Sequence, residues 1–134
     1  MTYRIVNPDA LGQPRGWNHG MLSEKGGRIL FVAGQTAGDV DGPVQGDFVA
    51  QFRVALERVV AVVREAGGEP DLIGRMTIYV SNMDTYLESR KPLGEVYRAV
   101  MGQHYPAMAM VEVSRLTEPD MMVEIEATAV LPDA

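Results

Sequence analysis

Residues Met121 to Val130 alternate with a period of two. Val123, Ile125, Ala127 and Ala129 are apolar, and Glu124, Glu126 and Thr128 between them are polar. Successive side chains leave a strand on opposite faces, so this stretch is a strand with one face for a core and one that carries acids. Ala107–Val113 repeats the pattern. Ala107, Ala109, Val111 and Val113 are small or β-branched, and Met108, Met110 and Glu112 stand between them. The short connection from Ser114 to Asp120 makes antiparallel pairing of the two strands the simplest arrangement. Two such strands need helices over one face. Met108, Met110, Glu112, Glu124 and Glu126 are expected together on the other. Methionines beside acids suit a subunit interface better than open solvent.

The helical layer is equally legible. Phe48, Phe52, Ala55, Leu56, Val59, Val62, Val63 and Ala66 recur at helical spacing, which predicts a helix from Asp47 to Ala66. Gln51, Arg53, Glu57, Arg58, Arg64 and Glu65 are expected on its other side. Asp47 suits the N-cap, and Gly67-Gly68 the left-handed stop. Arg28–Ala33 reads as a buried strand ending at Gly34, followed by a turn-rich loop over 35–46. Ile73–Ser81 reads as a strand in which Met76, Ile78 and Val80 share a face. Thr85 and Glu88 have capping-box spacing, and Pro92 fits the first turn of a helix ending near Gly102, so this region is one kinked helix or a turn plus a helix. The order is strand, helix, strand, helix, strand, strand. It predicts a single α+β domain over residues 1–134, with two main helices packed on one face of a mixed sheet.

Charge and composition narrow the function. Twelve Lys and Arg face 18 Asp and Glu, for a net charge of −6. Nucleic acid and anionic membranes are therefore not expected partners. With no cysteine, disulfides, zinc–thiolate sites and a cysteine nucleophile are excluded. No apolar run is long enough to span a bilayer, and the first residues lack the apolar core of a signal peptide, so the cytoplasm is the expected location. His19 and His104 are isolated from any metal-ligand spacing, and no metal site is expected.

Three constellations are candidates for chemistry. Glu124 and Glu126 lie two apart on one strand face, where a carboxylate can orient or deprotonate water, or can simply be solvated or paired across an interface. Arg15-Gly16-Trp17-Asn18-His19-Gly20 sets a cation, the only tryptophan, an amide and an imidazole between glycines. It suits a ligand-contact loop, or a loop with one aromatic anchor. Gly34-Gln35-Thr36-Ala37-Gly38 follows a strand but lacks phosphate-loop spacing, so it is a turn or a pocket-lining backbone.

Taken in order, these segments resemble the YjgF/RidA family, also called Rid or L-PSP proteins. The resemblance covers nearly the whole chain. It rests on Pro14 to Gly20, Val32-Ala33-Gly34-Gln35, Gly46-Asp47 with Gln51, Ala66-Gly67, Thr77 to Val80, Tyr105-Pro106-Ala107, Val111-Glu112-Val113 and Val123 to Ala127. It implies a chorismate-mutase-like fold and a homotrimer whose sheets pack into a barrel with clefts between subunits. It also implies cofactor-free hydrolysis of a small reactive imine, enamine or related carbonyl compound to a carbonyl product and ammonia. An older ribonuclease label in the family finds no support in this acidic chain.

Carried over residue by residue, the resemblance makes Glu124 the acid that positions water. Trp17 becomes the aromatic wall, and Gly34, Gln35 and Ala109 line the cleft. The chain departs from the family at Met108, where active deaminases have an arginine that grips the substrate carboxylate. It departs again at Gly94, where some members have an asparagine. Loss of a charge-assisted contact costs about 1.5–3 kcal/mol. Arg15 or His19 is the expected replacement, with His19 also a candidate proton shuttle; otherwise the substrate lacks a carboxylate there, and Met108 shapes a more apolar pocket. The competing expectation is a non-catalytic trimer that binds a small metabolite or stabilises a protein.

Overall fold

The computed structural model describes residues 3–38, 44 and 46–133. Residues 39–43 and 45 of the turn-rich loop lie outside the described residues. In chain order the strands and helices are β1 (Tyr3–Val6), β2 (Gly20–Ser23), β3 (Arg28–Gln35), α1 (Phe48–Glu65), β4 (Ile73–Val80), α2 (Met83–Glu88), α3 (Arg90–Met101), β5 (Ala107–Glu112) and β6 (Val123–Leu131). The α+β class holds. A four-stranded mixed sheet, in the order β3-β6-β4-β5, carries the helices on one face, and β1 and β2 form a small antiparallel sheet beside it.

The long helix forms as its sequence dictates. Asp47 caps it by accepting from the Ala50 amide, and Gly67, with a φ of 95°, ends it. Ala55, Leu56, Val59 and Val63 are completely buried beneath it. Gln51 departs from expectation, since it lies inside with 2% exposure. Its amide donates to Gly46 O and Asp120 O and its Oε1 accepts from Met122 N, so its polar atoms are satisfied. That one side chain ties the start of α1 to the entry of β6.

The region after β4 resolves into two helices broken at Ser89. The cap of α2 is Asn82, which accepts from Thr85 N, and not Thr85 itself. Leu93, Val96, Tyr97 and Met101 of α3 join the core formed by α1 and the sheet.

Two expectations about the sheet are corrected. First, β5 and β6 do not pair. β5 runs parallel to β4 at the sheet edge, while β6 inserts antiparallel between β3 and β4. The helical crossover α2–α3 permits the parallel pairing. The central position suits β6, where Val123, Ile125 and Ala129 are fully buried. Second, the methionines and the acids do not share a face. Met108 and Met110 register with the buried Met76 and Ile78, which places them under the helices. Glu112 registers with Val80 and accepts from the Met83 amide at the start of α2. Glu124 and Glu126 pair with Tyr79 and Thr77 on the opposite, open face.

That open face is not a solvated one in composition. It carries Phe31 at 77% exposure and Ile29 at 63%, together with Val111. A buried tyrosine locks the small sheet to the large one. The Tyr3 hydroxyl donates to Leu72 O at 2.7 Å and accepts from Val130 N at 3.0 Å. It reaches them across Gly74, where the β4–β6 register shifts.

Candidate functional site

The candidate residues fall into two groups on opposite sides of the sheet. The first centres on Glu124. Its carboxylate lies against Gly34 so closely that a Cβ at Gly34 would stand 2.6 Å from Oε2. Only a glycine leaves that space. The ladder between β3 and β6 is irregular between Val32 and Gln35, and this irregularity lets the Gly34 backbone swing toward Glu124. Gln35 is paired with Ile125, one residue beyond. The segment that follows is held to α1 by Arg58, whose Nη1 donates to Thr36 O and Gly38 O. Gln51 fixes Met122, two residues before Glu124.

In front of Glu124 is an open cleft walled by Arg115, Leu116, Thr117 and Pro119. Neighbouring Glu126 accepts a 3.1 Å hydrogen bond from the Tyr79 hydroxyl. That bond, reinforced by burial and by the charges of both glutamates, raises the tyrosine's pKa above its ordinary value. Ala109, paired with Thr77, is exposed on this same face.

The second group is built on the N-terminal loop and the outer edge of the sheet. Asn18 docks the loop onto the start of β5. Its backbone amide donates to Pro106 O, and its side chain donates to Tyr105 O and accepts from Asn7. Asn7 in turn accepts from the His19 amide at 2.8 Å. Trp17 and His19 are thereby held edge to face, with centroids 4.6 Å apart. Trp17 is 39% exposed, and so presents a wall instead of filling a core. Beside this loop, Gly16 borders a cavity of about 260 Å³ that Met108 and Met110 floor.

The structure thus brings Gly34, Gln35 and Glu124 together, and likewise Trp17 and His19. It sets Gly16 beside Met108. It does not bring Glu124 and Met108 together within one chain, because the sheet lies between them. Arg15 is exposed, and neither Arg15 nor His19 borders the methionine cavity; Arg90 and Arg98 of α3 do. Sequence reasoning missed both arginines and Arg115. The signal for the first two was present, since Arg90, Gly94 and Arg98 recur every four residues along one helix stripe. Among the described residues there is no cluster of three or more His, Asp or Glu that could hold a metal, and no helix long and apolar enough to cross a membrane.

Comparison with known proteins agrees with this architecture. The family model described as Endoribonuclease L-PSP matches residues 9–131. A RutC family protein of Pyrococcus horikoshii is 36% identical over 107 residues, covering 78% of this chain and 81% of its own. TdcF of Escherichia coli K12, whose name assigns it provisionally as a reactive intermediate deaminase, is 32% identical over 108 residues, covering 78% of this chain and 80% of its own. The crystal structure of the Rid-family protein YyfB from Yersinia pestis superposes with a TM-score of 0.84 at 30% identity, over 98% of this chain and all of that one. That of E. coli TdcF with bound serine gives 0.65 at 30% identity, over 95% and 98%.

Proposed function

This chain belongs to the Endoribonuclease L-PSP family, the YjgF/RidA or Rid proteins, and from that premise we propose that it hydrolyses a small reactive imine or enamine to a carbonyl compound and ammonia. The observation that carries the reading is the Glu124 carboxylate, backed by a glycine and facing an open cleft. A water held there is oriented, and partly deprotonated, for attack on the C=N carbon. The C–O bond forms as the C=N π pair moves to nitrogen. The resulting carbinolamine collapses as a proton passes to nitrogen, the C–N bond breaks and ammonia departs. Water supplies the oxygen and both hydrogens, so no cofactor is required. His19, held against Trp17, is the proposed carrier of the proton to nitrogen. In this reading Gly34, Gln35 and Ala109 are the proposed lining on the Glu124 side. Trp17 and Met108 are the proposed wall contributed from a neighbouring subunit, and Arg15, exposed and off the methionine cavity, is a proposed contact at the entrance.

The working unit in this reading is a cytoplasmic homotrimer. Its support is the open sheet face, where Phe31, Ile29 and Val111 lie exposed beside Ala109 and Glu124. Covering that face with a second copy buries the apolar residues. In the proposed trimer, the Glu124 group of one subunit would complete its cleft with the Trp17–Met108 group of a neighbour. The name of TdcF, and the serine bound in its crystal structure, are consistent with a small amino-acid-derived ligand.

The test is ammonia release from imines generated in situ by an amino-acid oxidase, with and without the protein. Glu124→Ala is expected to lower the accelerated rate at least 100-fold while its mass in solution stays that of the wild type. Undiminished turnover in the variant rejects the role of Glu124. No acceleration by the wild type, together with thermal stabilisation by an unconverted metabolite, replaces the enzyme with a binding protein.

A further inference from the structure

Arg90, Gly94 and Arg98 lie four residues apart along α3, so all three present to the same side of the helix, which borders the cavity floored by Met108 and Met110. At Gly94 a Cβ would stand 3.1 Å from Arg98 Nη1. The missing side chain is therefore the space that the Arg98 guanidinium occupies, folded back along the helix. Arg90 makes one hydrogen bond, from Nε to Leu87 O at 3.2 Å. The Arg98 side chain has no hydrogen-bond or ion-pair partner among the described residues, its backbone carbonyl accepting from Gly102 N. Two cations thus border a small cavity with no acid among its lining residues, and apart from Gly16 and Gly94 the rest of its wall is tyrosine, leucine, isoleucine, phenylalanine and the two methionines.

A guanidinium offers a planar fork of donors that matches a carboxylate, and an unpaired one beside an apolar wall recruits an anion. The wall itself selects for apolar carbon, since methionines adapt to irregular apolar shapes. Resting on the imine-hydrolase reading above, we propose that Arg98, assisted by Arg90, is the carboxylate anchor of this protein, and that its substrates are 2-imino acids with a branched or otherwise apolar side chain. Arg98 then takes over from the helix the task that an arginine at position 108 would perform from the strand. The methionine at 108 becomes part of side-chain recognition.

The experiment measures binding of stable product analogues by titration calorimetry: 4-methyl-2-oxopentanoate, pyruvate and the uncharged ketone 4-methylpentan-2-one. The proteins are the wild type, Arg98→Met, Arg98→Lys and Arg90→Met, each checked for an unchanged unfolding temperature. The branched oxo acid is expected to bind the wild type at least tenfold more tightly than pyruvate. Arg98→Met is expected to weaken it 10–100-fold, Arg98→Lys less, and Arg90→Met by a smaller factor. Affinity for the ketone should not respond to Arg98→Met. Three results would each overturn the proposal: no binding of any oxo acid to the wild type, equal affinity in Arg98→Met, or pyruvate binding as tightly as the branched acid. The two readings fail separately. Oxo-acid binding that depends on Arg98, without imine hydrolysis, removes the enzyme and keeps the anchor. Hydrolysis whose KM ignores Arg98→Met does the reverse.

Discussion

Gly34→Ala isolates the contact on which the proposed chemistry depends. The new methyl would lie 2.6 Å from Glu124 Oε2, 2.8 Å from Cδ and 3.0 Å from Cγ, whereas ordinary contact begins near 3.4 Å. The carboxylate must therefore withdraw by about 0.8 Å to restore that contact. Gly34 is not among the glycines with left-handed φ, so its backbone accepts alanine and the clash is the main cost. Turning the glutamate off its rotamer costs about 0.5–1.5 kcal/mol. A misplacement near 1 Å in a reacting group costs on the order of 100-fold in rate. The expected result is a 10–100-fold fall in kcat/KM for imine hydrolysis, read as ammonia release, with a stability loss of about 1 kcal/mol in urea unfolding. Placed on a Glu124→Ala background, the same substitution should cost no stability, because the atoms it strikes are gone. An equal cost in both backgrounds, or wild-type turnover in Gly34→Ala, would refute the inference that Glu124 works from the position this glycine allows.

Three further outcomes follow from the packing. Gly74→Ala would put a methyl 2.7–2.9 Å from the hydroxyl and ring of Tyr3, which is buried and bonded at both lone-pair and proton. A loss of about 1–3 kcal/mol is expected by urea unfolding, and a loss below about 0.5 kcal/mol would mean that the ring is free to move. Burial raises the pKa of Tyr97 and of Tyr3 above the ordinary tyrosine value. The folded state then holds these protons more tightly than the unfolded state. Their contribution is fully present below about pH 10 and declines above it by about 1.4 kcal/mol per pH unit for each group. Tyr97→Phe should lose about 1 kcal/mol at neutral pH, with the bond to His104 O, and show a shallower alkaline decline; an unchanged slope would contradict the assignment. If the proposed trimer forms through the open face, Phe31→Glu should shift the mass in solution from trimer to monomer, and a trimer left intact would place the interface elsewhere.

The elements with one strong period were legible in the sequence. The α1 stripe, its Asp47 cap and Gly67 stop, and the alternation of β4 and β6 all appear where periodicity places them. The irregular parts were not. Gln51 is polar by type but is buried, because three backbone groups of two distant segments meet at its amide. Alternation divides a strand into two faces without saying which face of one strand aligns with which face of the next. That parity is set by register, and for β5 it depends on a parallel pairing with β4 across a helical crossover. Reading β5 as the hairpin partner of β6 therefore put Met108 beside Glu124, where the sheet in fact separates them.

That separation is itself informative about mechanism. The resemblance gathers Trp17, Met108 and Glu124 into one cleft, yet in a single chain Met108 lies under the helices and Glu124 on the open face. A residue set can be legible as one site and still be impossible within one subunit. The proposed trimer resolves the conflict, since the exposed Phe31 and Val111 that favour association lie on the face that carries Glu124. Burial of that face and completion of the cleft are then the same event. Dissociation should abolish turnover even where each chain stays folded, because every isolated chain keeps the proposed water-positioning acid Glu124 and the proposed carboxylate-binding cavity on opposite sides of one sheet.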